Sequence, residues 1–146
     1  MVGGVIICIG DSLTRGARSL LSYPICLSEM MSERFSQAWV VLDKGVNGET
    51  SGGLASRLYD TLKGYPESYE FIVTVGTNDA KDEISTPLDI YRRNWEYVER
   101  CGIFLKRKLY VGLIPDMFGF GAPDYSFRAR DRILEYNAFL VKHFDG

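Results

Sequence analysis

Four short apolar runs, at residues 5–9, 39–42, 71–75 and 109–114, alternate with longer segments whose apolar residues recur at helical spacing. This alternation constrains the fold more than any other feature. The runs are rich in β-branched residues and nearly continuous in apolar character, a pattern that predicts parallel strands buried on both faces. Between them, Ser22-Tyr23-Pro24 opens a helix, because proline suits a first turn, and Leu27, Met30, Met31 and Phe35 follow as an apolar stripe. A second helix is expected over residues 50–62, with Leu54, Leu58 and Leu62 on one face. Thr86-Pro87 opens a third, carrying Leu88, Tyr91, Trp95 and Val98. The fourth runs over residues 127–144, with Ile133, Tyr136, Leu140 and Phe144 as its inner side. All these aromatic and methionine stripes read as core. A βαβαβαβα order implies an α/β domain with a parallel sheet, right-handed crossovers and helices on both faces. The 146 residues hold no repeat or linker and suffice for a single domain over 1–146.

Seventeen basic residues stand against 19 acidic ones with no block of either sign, so nucleic acid is not an expected partner. Cys8, Cys26 and Cys101 are odd in number, far apart and without a C-x-x-C pair. They read as reduced thiols of a cytoplasmic protein, and no metal centre is expected from them. The N-terminal "MVGGVIICIG" has no basic leader, and its apolar stretch has the length of a strand. No segment approaches the roughly 20 apolar residues that span a bilayer. The chain therefore reads as soluble and cytoplasmic.

In a parallel sheet the loops after the strands share one edge, where ligands bind. Here those loops are Gly10-Asp11-Ser12, Gly45-Val46-Asn47-Gly48 and Gly76-Thr77-Asn78-Asp79. Taken singly, each has a plain explanation. A serine after a strand is commonly a turn or cap residue, "GETSGG" reads as a helix entry, and "GTND" as a tight turn. Together they bring one hydroxyl and several neutral donors to the same edge. A nucleophile beside an oxyanion hole is what acyl transfer requires.

"GDSLT" at 10–14, "GVNGETSGGL" around Gly48 and "GTND" at 76–79 resemble, in order and spacing, the first three blocks of the SGNH (GDSL-type) hydrolases. "SYP" at 22–24 and "YNAFL" at 136–140 add to the likeness, which runs from about residue 5 to 146. The resemblance implies a flavodoxin-like three-layer α/β/α sandwich in which the strands bearing Ser12 and Asn78 are neighbours. It further implies Ser12 as nucleophile, an oxyanion hole from the N–H groups of Ser12 and Gly48 and the amide of Asn78, a small-molecule ester as substrate, and no metal or organic cofactor. There is no G-x-S-x-G elbow, no Walker A sequence and no G-x-G-x-x-G after a strand.

The family carries an Asp-x-x-His block after a fifth strand, and its histidine is the general base. No Asp-x-x-His occurs here, and the one histidine is His143. The first expectation is that the sequence stops short of that strand and block. Two others stay open: His143 as the base, against its plainer reading as a polar residue in the last turn of a helix, and a non-catalytic module binding a small anion or glycan at the same crevice. Phe118 and Phe120, in the loop after the fourth strand, would line an acyl or aryl pocket or plug that loop onto the core.

Overall fold

A computed structural model describes residues 2–17, 19–116 and 125–145. The elements in chain order are β1 (Val2–Gly10), α1 (Ser12–Arg15), α2 (Tyr23–Phe35), β2 (Ala38–Gly45), α3 (Ser51–Lys63), β3 (Glu70–Thr74), α4 (Thr77–Ala80), α5 (Leu88–Phe104), β4 (Lys108–Val111) and α6 (Phe127–Phe144). Each expected strand and helix is present, with bounds shifted by a few residues. The additions are α1 and α4, single turns too short to leave a periodic signature.

The sheet is parallel throughout, in the order β2-β1-β3-β4. The chain leaves β1 toward β2 on one side and then crosses to β3 on the other, so β1 and β3 flank the switch point where α/β sheets open a crevice. Register brings the strand ends level, for Gly10 lies opposite Gly45 of β2 and Thr74 of β3.

One face of the sheet carries the main core. Leu54, Leu58 and Leu62 of α3, Tyr91, Trp95 and Val98 of α5, and Ile133, Tyr136 and Leu140 of α6 close over Ile7, Ile9, Phe71 and Val73. Tyr91 and Tyr136 stack with ring centroids 4.0 Å apart. The opposite face is covered by α2, whose Tyr23 lies beside the Cys8 thiol; burial pushes that thiol up to about 11. The strand flanked by β2 and β3, β1, is the one buried on both faces at Ile6, Ile7, Cys8 and Ile9. In β2, β3 and β4 burial is partial and largely alternating, with Val40 exposed, which corrects the expectation of strands buried on both sides. The run of apolar residues was there, but one helix cannot cover four strands.

The stripe on α2 is a second correction. Met30 and Phe35 are 65% and 52% exposed, and among the described residues of this helix Pro24 alone is fully buried. Periodicity identifies an apolar face without saying whether a partner covers it. Among the described residues no helix is long and apolar enough to cross a membrane, and the three cysteines are free.

Candidate active site

Gly10 ends β1 with no room for a side chain: a Cβ there would press on Thr14 and the Thr74 carbonyl. Asp11 then caps α1, accepting the Leu13 N–H at 2.9 Å. Its second oxygen accepts the Thr77 hydroxyl at 2.5 Å, which ties the β1 loop to the β3 loop. Ser12 is the first residue of α1 and half-buried. Its N–H is one of those a helix start leaves without an intrahelical acceptor.

The β2 loop is joined to β1 where Val46 N donates to the Gly10 carbonyl at 2.9 Å. Gly48 takes φ +75°, and a Cβ on it would meet nothing within 4 Å. The space beside its Cα is thus open, in a backbone state glycine reaches without strain. Glu49 is buried, and its carbonyl accepts Asn78 Nδ2 at 2.9 Å. The Asn78 amide carries a second N–H, so one bond to Glu49 positions the group and does not exhaust it. Asn78 itself is buried on the turn α4.

Gly76 precedes that turn at φ +143°, where a Cβ would collide with Ile114 and sit 2.9 Å from the Tyr91 hydroxyl. Strained backbone and overpacking add, so Gly76→Ala is expected to cost about 3 kcal/mol or more. A urea titration of the variant checks this, and an unchanged midpoint contradicts it.

Asp79 is fully buried and accepts both the Ser51 N–H, at 2.8 Å, and the Ser51 hydroxyl, at 2.6 Å. Asn94 of α5 donates to that same hydroxyl at 2.9 Å. The start of α3 is therefore fastened to the Asn78 turn. Burial raises the Asp79 carboxyl above the ordinary carboxylate range, against the lowering effect of its hydrogen bonds from Ser51, and burial likewise raises Asp11. An acid raised in the folded state holds its proton more tightly there than in the unfolded chain. Its stabilising contribution is complete below an unfolded value of about 3.9 and is lost as pH rises through the folded one. The stability of the parent chain relative to Asp79→Asn is therefore expected to fall as pH is raised from about 4 toward neutrality. Denaturation across that pH range tests the sign, and a difference that grows with pH contradicts it.

The residues singled out from sequence thus gather at one edge. Gly48 and Asn78 are joined through the Glu49 carbonyl, and Ser12 is held beside them by the Asp11–Thr77 bond. His143 is not brought there. Arg132, near the start of α6, reaches the Ala80 carbonyl at 2.7 Å. His143 lies eleven residues further on, roughly 16 Å along the helix. Its Nε2 is 3.0 Å from Glu99, and the ring packs beside Phe139 and Phe144. Phe118 and Phe120 lie outside the described residues. Sequence reading placed Thr77 and Asp79 in a loop at this edge without a role for them, and missed Ser51, Arg57 and Asn94. The available signal was polar residues set among the apolar positions of α3 and α5.

The structure resembles solved esterases. AlinE4, a SGNH-hydrolase family esterase, matches with a TM-score of 0.75 and 20% identity over 98% of this chain and 73% of that one. A lipase/acylhydrolase from Enterococcus faecalis gives 0.76 and 17%, over 97% and 73%. The psychrotrophic esterase EstA from Pseudoalteromonas sp., in a structure inhibited by monoethylphosphonate, gives 0.69 and 18%, over 97% and 74%. A search of curated protein sequences finds no match. Residues 8–143 match the family described as GDSL-like Lipase/Acylhydrolase. With the family match covering nearly all of its length and the fold agreeing with these neighbours, the chain belongs to the GDSL-like lipase/acylhydrolase family.

Proposed function

We propose that this chain is a serine-dependent ester hydrolase. Ser12 attacks the ester carbonyl, and the N–H groups of Ser12 and Gly48 with the Asn78 amide hold the oxyanion that forms. One observation carries the reading: Asn78 Nδ2 is pinned by the carbonyl of Glu49, the residue after Gly48, at the edge where Ser12 leaves β1. Family membership supports ester hydrolysis as the reaction class.

The chemistry balances without a cofactor. Ser12 Oγ bonds to the acyl carbon, the bond to the alkoxy oxygen breaks, and the alcohol leaves with a proton. Water then cleaves the acyl-serine and releases the acid. Neutral amide donors serve at any ordinary pH, and preorganised donors act on charge as it develops. The serine proton needs an acceptor. The sequence has one histidine, and it is held at Glu99 beyond reach of Ser12. His143 is thus not placed to take that proton, and a base added from solution can take it instead. Oxyanion stabilisation and binding alone sustain roughly 10³- to 10⁴-fold acceleration over water. Small esters with good leaving groups, such as p-nitrophenyl acetate, are the substrates suited to that regime, and free imidazole is the base to add. The three free cysteines support a reducing, cytoplasmic setting.

The test is hydrolysis of p-nitrophenyl acetate by the purified chain. Saturable turnover above buffer, increased by imidazole, is expected. A rate equal to buffer with and without imidazole contradicts the proposal.

A further inference from the structure

We infer that Glu49 and Arg57 form a clamp that positions the oxyanion donors, a role resting on the reading of Ser12, Gly48 and Asn78 as the acyl-transfer centre. The Glu49 side chain is 6% exposed, and a carboxylate so placed is tolerable only when paired and hydrogen-bonded. Arg57, in the second turn of α3, meets it with both prongs: Nε to Oε1 at 2.7 Å and Nη2 to Oε2 at 2.5 Å. A planar guanidinium matches a carboxylate in this two-point way, which an ammonium cannot do. Nη2 also donates to the Lys44 carbonyl at 2.7 Å and lies 3.4 Å from the Gly10 carbonyl. One side chain therefore fastens the last residues of β1 and β2 to the Gly48 turn.

What this accomplishes follows from the two ends of Glu49. Its carboxylate is held by Arg57, while its carbonyl accepts the Asn78 amide. Rotation of Glu49 would swing the acceptor that aims Asn78. It would also shift Gly48, the residue before it, which sits at φ +75° with glycine's wide backbone freedom. Oxyanion donors act through fixed aim, and a misplacement of about 1 Å can cost 10²-fold in rate. Binding of the uncharged ester depends far less on that aim. Loss of the clamp therefore lowers kcat and leaves KM nearly untouched.

The experiment uses Arg57→Lys, which keeps the charge and removes the two-point grip, and Glu49→Gln, which keeps the shape. In imidazole buffer, reactive sites are counted with a fluorophosphonate, and kcat and KM for p-nitrophenyl acetate are measured per reactive site, so unfolded molecules do not enter. Arg57→Lys is expected to lower kcat about 10- to 100-fold with KM within about threefold. The two substitutions together should cost little more than the larger alone, because they break one clamp. A kcat per site equal to the parent, whatever the change in melting temperature, overturns the inference, as does a rise in KM at constant kcat. If Arg57→Lys yields no folded protein, Glu49→Gln decides by the same criteria. A parent chain that neither turns over ester nor takes the probe at Ser12 would instead defeat the underlying reading of the site.

Discussion

Removing the side-chain amide of Asn78 lowers kcat for ester hydrolysis by roughly 100- to 1,000-fold, the usual consequence of losing one oxyanion donor. The expectation rests on where that amide is. It is buried on a one-turn helix after β3, and Glu49 fixes its direction with a 2.9 Å bond. The loss concerns the transition state, so it falls on kcat rather than KM. It does not depend on the proton acceptor, because the donor acts on the carbonyl oxygen. Asn78→Ala also leaves the Glu49 carbonyl without its donor, so a melting curve belongs beside the kinetics. A variant that melts like the parent and keeps its kcat contradicts the assignment.

Ser12→Ala produces a different signature. Members of a nucleophile–base pair act as a unit, and removing either alone costs about as much as removing both. His143 is held at Glu99, away from Ser12, so in plain buffer the alanine variant is expected to retain much of the residual rate that the oxyanion donors supply to attacking water. The contrast appears when imidazole is added. In the parent, the free base accepts the Ser12 proton and turnover rises with imidazole concentration. In Ser12→Ala that increment vanishes, leaving only the reaction of imidazole with ester in solution. Titrating imidazole against both proteins checks this. Equal increments in the two would show that Ser12 is not the group being activated.

The legible part of this fold was its order of elements, and the reason is physical. Strands and long helices write a period into the sequence, as Leu54, Leu58 and Leu62 do on α3 and Ile133, Tyr136 and Leu140 do on α6. Burial was less legible. Met30 and Phe35 have the spacing of a core face, yet they stay exposed because nothing in their own segment reports what packs opposite. The candidate site divides in the same way. Ser12, Gly48 and Asn78 stand out because they sit where strands end, among glycines. The groups that hold them do not. Asp79 and Ser51 are 28 residues apart, and Thr77 and Asp11 are 66 apart. Arg57 sits between Leu54 and Leu58 as one polar residue of an amphipathic helix. Only the sheet register, which levels Gly10 with Gly45 and Thr74, brings these partners within bonding distance. His143 follows its plainer reading: it sits in the last turn of α6, and the run of that helix carries it to Glu99 rather than to Ser12.

If Ser12 is a nucleophile poised at an oxyanion hole, a covalent probe reports it. A fluorophosphonate reacts with an activated serine to give a tetrahedral phosphonyl ester, which the same donors would stabilise. After incubation of the parent chain and Asn78→Ala with the probe in imidazole buffer, proteolysis and mass measurement locate the adduct. The account predicts one phosphonyl group per chain, on Ser12, formed markedly more slowly in Asn78→Ala. An unmodified Ser12, or a probe spread over several surface hydroxyls at equal rates in both proteins, would contradict it.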